Sequence, residues 1–206
     1  MYNLPEFKGE NQKQVIEFMH NNPFVVLSGC DESNKPVATQ VPLLIKEREG
    51  KIILQGHIMR GTDHFKAFTN NHNVLALFSG PHTYVSASWY TNPQQGSTWN
   101  YITVQAMGLL SFVEEDTLID ILRETTAHFE NNENSPSLFE HLPLEYVEKL
   151  TKAIAGFEIE VQDIGHVFKL SQNRDAESYE NIIHHLENGN SDAKNIGSLM
   201  KTNKKS

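Results

Sequence analysis

Val37-Ala38-Thr39-Gln40-Val41-Pro42-Leu43-Leu44-Ile45-Lys46 has the β-branched, apolar composition of a strand, with a proline in its middle. Pro42 has no N–H to give to a sheet ladder, so this strand lies at an edge or carries a bulge there. An interruption of that kind is a natural place for backbone to meet a ligand. Turn chemistry bounds the stretch, Asp31-Glu32-Ser33-Asn34-Lys35-Pro36 on one side and Glu49-Gly50 on the other. Before it, Phe24-Val25-Val26-Leu27 is a compact apolar run between Pro23 and Gly29, the mark of a buried strand. After it, Lys51 to Ile58 makes a third strand.

The same reading extends to both ends. Glu10 to Asn21 reads as a helix, with Val15, Phe18 and Met19 at helical spacing and Asn21-Asn22-Pro23 stopping it. Thr62 can cap a short helix from Asp63 to Thr69. Further strands are expected at Asn73 to Ser79, Tyr84 to Tyr90 and Tyr101 to Val113. In the last of these Val104, Ala106 and Gly108 alternate with Gln105 and Met107. Helices are expected at Glu115 to Glu130, Leu144 to Ile154 and Ala176 to Glu187, and late strands at Phe157 to Val161 and His166 to Leu170. Residues 189–206 are rich in Ser, Asn, Gly and Lys and read as a disordered tail. Strands first and helices mostly later predict an α+β protein on a closed or nearly closed antiparallel barrel, one domain over residues 1–188. Neither a Gly-x-Gly-x-x-Gly strand-to-helix turn nor a P-loop occurs.

The totals narrow the function. The 26 acidic residues outnumber the 17 basic ones, for a formal net charge of −9, the opposite of what phosphate neutralisation on nucleic acid calls for. The lone cysteine, Cys30, excludes an internal disulfide framework and a multi-cysteine metal site. Met1-Tyr2-Asn3-Leu4-Pro5-Glu6 has neither the basic region nor the apolar run of a signal peptide, and no membrane-length apolar stretch follows. These observations predict a cytoplasmic protein without membrane contact or direct DNA binding.

Three groups of residues could carry chemistry. In Gln55-Gly56-His57-Ile58-Met59-Arg60-Gly61-Thr62-Asp63-His64, a strand ends at a glycine and a helix start beside an arginine. Arg60 offers a fork of donors suited to phosphate oxygens, and the Gly61-Thr62 amides lie at the helix mouth. Asp63 requires its side chain to turn away from such an anion. The segments Ser86-Ala87-Ser88-Trp89-Tyr90 and Thr98-Trp99-Asn100-Tyr101 hold both tryptophans and could wall a cleft facing something flat, or fill the end of a core. Lys169-Leu170-Ser171-Gln172-Asn173-Arg174 concentrates donors and acceptors directly after a strand, beyond what a helix cap needs. The ten histidines show no zinc-helix spacing, and no Gly-x-Ser-x-Gly elbow supports a hydrolase.

These pieces, in this order, resemble one family, the FMN-binding split-barrel proteins known as PaiB-type negative transcriptional regulators. The matching stretches are Pro42-Leu43-Leu44, Gly56-His57-Ile58-Met59-Arg60, Gly80 to Tyr90, Thr98 to Tyr101, Gly156-Phe157-Glu158-Ile159-Glu160 and Lys169 to Arg174. Met59, Gly61 and Thr62 depart from the residues expected around Arg60. The resemblance implies a six-stranded split barrel that dimerises, with FMN in clefts at the dimer interface. It places the FMN phosphate on Arg60, Gly61 and Thr62, with His57. It sets the isoalloxazine along the backbone of Gln40, Val41, Pro42 and Leu43, with Trp89, Trp99 and Asn100 closing the cleft and Gln172 and Arg174 as further contacts.

Three functions follow from this reading. The first is an FMN-binding homodimer with a regulatory role, exercised indirectly through a protein partner or flavin chemistry. The second is an FMN-dependent oxidoreductase of flavin-reductase or pyridoxamine-phosphate-oxidase type, acting on a small planar substrate. The third is a haem-binding or haem-degrading split barrel, which needs an axial histidine.

Overall fold

The structure, a computed structural model, describes residues 1–2, 4–9 and 11–203. In chain order the elements are α1 (Gln12–Asn21), β1 (Phe24–Cys30), β2 (Pro36–Pro42), β3 (Leu44–Arg48), β4 (Lys51–Met59), α2 (Asp63–Asn70) and β5 (Asn73–Val85). They continue with β6 (Thr98–Phe112), α3 (Glu115–Glu130), α4 (Leu144–Ala153), β7 (Ile154–Lys169), α5 (Ala176–Glu187) and α6 (Ser191–Thr202). The expected helix start at Glu10 lies outside the described residues. The strands form one seven-stranded sheet in the order β2-β1-β5-β6-β7-β4-β3.

That order explains Pro42. β2 and β3 are consecutive in sequence and occupy opposite edges of the sheet. One residue, Leu43, separates them, and its N–H leaves the ladder to donate to the Pro23 carbonyl at 2.9 Å. A sheet whose two edges are joined by a single residue has to curl until they meet there. The α+β split-barrel fold is as the sequence predicts, with seven strands rather than six. At this junction the expected strand from Val37 to Lys46 divides in two.

Three further boundaries differ from expectation. Ser79-Gly80-Pro81-His82 reads as a break between strands, yet β5 runs through it. Gly80 serves close packing there, since a Cβ on it would stand 2.7 Å from the Phe18 ring. β5 then ends at Val85, and Ala87–Trp89 form a short 3₁₀ turn capped by Ser86, where a strand is expected. The two late strands are likewise one, β7. Gly165 has no positive φ, and a Cβ on it would stand 3.3 Å from Met1 Cε, so it marks close packing and not a turn.

The chain divides into two compact units. Unit 1 comprises residues 1–18, 79–104 and 165–206, and unit 2 residues 19–78 and 105–164. The core of unit 2 holds Leu27, Leu43, Leu54, Phe68, Phe78, Leu110, Leu118, Ile121, Phe157 and Ile159, all fully buried. In it β1 pairs antiparallel with β2 and β5, and β4 with β3 and β7. The core of unit 1 gathers Val85, Ile102, Val104, Val167 and Leu170 with the apolar faces of α5 and α6.

α6 corrects the disordered-tail expectation for residues 191–202. Asn190 caps it, accepting from the Ala193 N–H at 2.9 Å, and Ala193, Ile196, Gly197 and Met200 are buried. Their i, i+3, i+4, i+7 spacing is an amphipathic helix period inside a polar, lysine-bearing composition. Tyr179 of α5 donates its hydroxyl to the Met200 carbonyl at 2.7 Å, and burial pushes the phenol up to about 12. Lys204 and Lys205 of the expected tail lie outside the described residues.

One ion pair ties β3 to β7 across β4. Glu158 accepts from both Arg48 Nη atoms, at 2.9 and 3.2 Å, and from Gln55 Nε2 at 2.7 Å. The Arg48 hydrogen bonds, aided by Gln55, hold the Glu158 carboxyl below its ordinary 4.5. A depressed carboxylate stabilises the fold above its unfolded pKa, and that contribution drains as pH falls through the folded value. Glu158→Gln is therefore expected to lower Tm at neutral pH, with the gap to wild type narrowing below pH 4.5. Thermal melts from pH 3 to 7 check this, and a gap independent of pH overturns it.

Candidate functional site

In unit 2 the predicted phosphate-facing residues are contiguous and shaped by local structure. β4 ends at Met59, and Arg60 follows with its N–H on the Ala153 carbonyl at 2.9 Å. Arg60 Nε donates to the Ile154 carbonyl at 2.8 Å, and the guanidinium lies 5.7 Å from the Phe65 ring centroid. Its two Nη groups have no partner among the described residues, and the residue is exposed. The fork is thus anchored at its base and open at its tips, the arrangement a bidentate oxyanion contact needs.

Gly61 adopts φ +79°, a left-handed conformation that glycine tolerates and side-chain-bearing residues resist, with open space where a Cβ would stand. Thr62 caps α2 as expected: its Oγ1 accepts from Phe65 N at 3.3 Å and donates to the Met59 carbonyl at 2.9 Å. Its hydroxyl is therefore committed to the helix, and only backbone remains for a ligand. The Asp63 side chain is exposed, yet its carboxylate folds back onto the start of its own helix. It accepts from the His64 N–H at 2.8 Å, and that bond with His64 Nδ1 lowers its pKa. The carboxylate so takes up part of the helix mouth, which leaves Arg60 as the principal anion contact.

The other unit 2 residues converge through Gly56. A Cβ on Gly56 would meet Leu43 Cδ2 at 2.9 Å, the Phe157 ring at 3.0 Å and the Pro42 carbonyl oxygen at 3.1 Å. The absence of a side chain lets the β2–β3 junction press on β4 beside His57. Burial lowers the His57 pKa, so the imidazole is neutral near pH 7, with one N–H and one lone pair. Gln40 is exposed in the last part of β2, while Val41 and Leu43 are buried, so Gln40 and the Pro42 backbone are what this edge presents.

The predicted residues in unit 1 separate into two kinds. Trp99 is 52% exposed on the outward face of β6, with His82 and Tyr84 ring centroids each 6.0 Å away. It is a free aromatic wall. Trp89 instead stacks on His185 of α5 at 4.7 Å and 11°, so one of its faces is already covered. Asn100 is fully buried: its Oδ1 accepts from Ser171 Oγ at 3.0 Å and its Nδ2 faces Met200 Sδ at 3.5 Å. Asn100 cannot close a cleft, because β6 alternation turns it inward. Gln172 holds its own loop, accepting from Leu170 N and donating to the Phe168 carbonyl. Arg174 donates to Gln95 Oε1 at 2.5 Å, and its Cζ stands 4.1 Å from the Tyr90 ring centroid.

Lys169 carries no individual signal in the sequence. It donates to Thr98 Oγ1 and sits 5.2 Å from the Tyr2 ring centroid. The available signal was its place in the polar run with Arg174.

No helix among the described residues is long and apolar enough to cross a membrane. A family model described as "Putative FMN-binding domain" matches residues 1–163. Protease synthase and sporulation protein PAI 2 of Bacillus subtilis is 35% identical over 201 residues, 97% of this chain and 96% of its own. Among solved structures, a conserved hypothetical protein of Mycobacterium tuberculosis aligns with TM-score 0.58 at 11% identity, over 84% of this chain and 92% of its own. An FAD and heme binding protein of Mycobacterium smegmatis aligns with TM-score 0.58 at 13% identity, over 84% and 78%. Those two likenesses concern the fold alone. With the match over residues 1–163 and the near full-length likeness to PAI 2, this chain belongs to the PaiB-type family of FMN-binding domain proteins.

Proposed function

We propose that this chain binds FMN as a cytoplasmic homodimer, residues 1–188 serving one cofactor site per copy, and acts in regulation without gripping DNA itself. The observation that carries the reading is Arg60, whose Nε is tied to the Ile154 carbonyl while its two Nη groups face outward beside Gly61. An FMN phosphate is the family-consistent oxyanion for that fork. His57, neutral and half-buried, is placed on the same strand to hydrogen-bond a flavin oxygen or nitrogen, and the Gln40–Leu43 edge lies against β4 through Gly56. Trp99 offers an open ring face to the planar flavin from the partner copy. FMN supplies one- and two-electron redox chemistry when bound, and the protein's part is position and electrostatics. The net charge of −9 favours a regulatory role through a protein partner over direct contact with DNA. The name of the B. subtilis relative links that protein to protease synthesis and sporulation, and a regulatory role here rests on that likeness.

The visible absorbance of the purified protein, before and after FMN is added, tests the reading. A flavin band that follows the protein through gel filtration, saturating at one FMN per chain on a species of twice the chain mass, is the expected result. Colourless protein that takes up no FMN overturns it.

A further inference from the structure

Arg60, Lys169 and Arg174 share a property among the described residues: each rests on an aromatic ring and none has a carboxylate partner. In a chain whose acids outnumber its bases 26 to 17, that lack calls for a reason. Lys169 and Arg174 both belong to unit 1 and are half-buried. They are also close enough for repulsion: burial first, and the Arg174 charge second, lower the Lys169 pKa. The carboxylate next along the chain, Asp175, is turned away from them. It caps α5 on Ser178, accepting from N at 2.9 Å and Oγ at 2.7 Å, and accepts from Thr91 Oγ1 at 3.3 Å.

A third polar group at this place also lacks a partner. The hydroxyl of Tyr90, the residue whose ring lies under Arg174, is buried with no hydrogen bond. A buried hydroxyl without a partner is uncommon because its desolvation is not repaid. Thr98 and Gln95 each take one donor, from Lys169 and Arg174 respectively, and the remaining N–H groups have none. Cation–π contacts with Tyr2, Phe7 and Tyr90 hold the two heads in place without neutralising them.

We propose that Lys169, Arg174 and the Tyr90 hydroxyl form a second oxyanion site, distinct from the Arg60 cradle, that holds the phosphate or carboxylate of a small-molecule ligand. Two cations would balance a phosphate monoester dianion or grip both oxygens of a carboxylate. The Tyr90 hydroxyl would gain the acceptor it lacks. No Arg60 contact enters this site, and Arg174, a flavin contact by the family resemblance, is assigned here to the second anion instead.

The test is calorimetric titration of full-length Arg60→Ala protein, in which the flavin cradle is disabled, with phenyl phosphate and separately with benzoate. Saturable binding of either is expected, and the tighter of the two identifies the anion class. Adding Lys169→Met or Arg174→Gln should weaken that binding at least ~10-fold, the scale of a lost charge-assisted contact. Thermal melts without ligand give a second readout. Lys169→Met should match or exceed the parent Tm, because it replaces an unneutralised, half-buried ammonium with an apolar chain. Failure of both probes to bind, or affinities unchanged by Lys169→Met and Arg174→Gln, overturns the proposal. So does a lower Tm for Lys169→Met with anion affinity intact, which would make the lysine a purely structural hydrogen-bond donor.

Discussion

Arg60→Ala is expected to raise the FMN dissociation constant by about 10- to 100-fold, the equivalent of roughly 1.5–3 kcal/mol for hydrogen bonds to a charged group. The same substitution should cost the fold little. Arg60 is exposed, and the interactions lost within the protein are the Nε bond to the Ile154 carbonyl, worth about 1 kcal/mol, and the contact with the Phe65 ring. The separation between a large binding effect and a small stability effect is the signature of a side chain held for a ligand. Arg60→Lys refines it. Lysine keeps the charge but has no fork and cannot hold the Ile154 carbonyl while addressing two phosphate oxygens, so an intermediate affinity is expected. Fluorescence quenching of free FMN on titration measures all three proteins. An Arg60→Ala protein that binds FMN as wild type does would move the phosphate elsewhere and remove the main support for the proposed site.

How much of this could be read from the sequence follows the range of the signal. Signals confined to a few neighbouring residues are legible in the sequence. Thr62 caps α2 as its hydroxyl chemistry predicts, and α3 and α5 fall on the expected Glu115–Glu130 and Ala176–Glu187. Pro42 marked an edge, and β2 is an edge strand. What Pro42 could not show is that Leu43 carries the chain from one edge of the sheet to the other, since that depends on all the strands between.

Glycine was ambiguous for the same reason. Gly80 and Gly165 look like turns in a local reading, yet their missing side chains serve the Phe18 ring and Met1, both far away in sequence. Within the candidate site, residue type points to Arg60 and Gly61, whose conformation is set by their immediate neighbours. It misassigned Asn100 because polarity alone does not say which face of a strand a residue occupies. The alternation running from Asn100 through Ile102 and Val104 to Ala106, all buried, holds the answer. α6 was hidden for a different reason: composition averaged over a segment masked a regular apolar spacing at Ala193, Ile196, Gly197 and Met200.

The largest stability effect is expected at Gly108, whose identity is dictated by a neighbouring strand. Gly108 is buried in β6, in line with the inward face that Val104 and Ala106 share. A Cβ there would stand 2.2 Å from the Glu160 carbonyl oxygen and 2.9 Å from both the Glu160 carbonyl carbon and Ile159 Cγ2. No rotamer relieves such a clash, because the obstacle is backbone and the added atom has no torsion of its own. β6 and β7 are neighbours in the sheet, so relief requires them to separate by about the ångström that ordinary van der Waals contact demands. That separation strains the ladder hydrogen bonds and disturbs Ile159, which is fully buried. Overpacking of this kind costs about 1–3 kcal/mol where side chains can shift and more where backbone must. For Gly108→Ala we therefore expect a loss of about 3 kcal/mol or more, seen as a Tm lower by roughly 6–12 °C for a chain of this length. Gly96→Ala is the matched control: nothing lies within 4 Å of its Cβ position, and its φ is not positive. It should leave Tm unchanged or slightly raised through lower entropy of the unfolded chain. A Gly108→Ala protein that melts with Gly96→Ala would mean that β6 and β7 do not approach as closely as the Gly108–Glu160 contact requires.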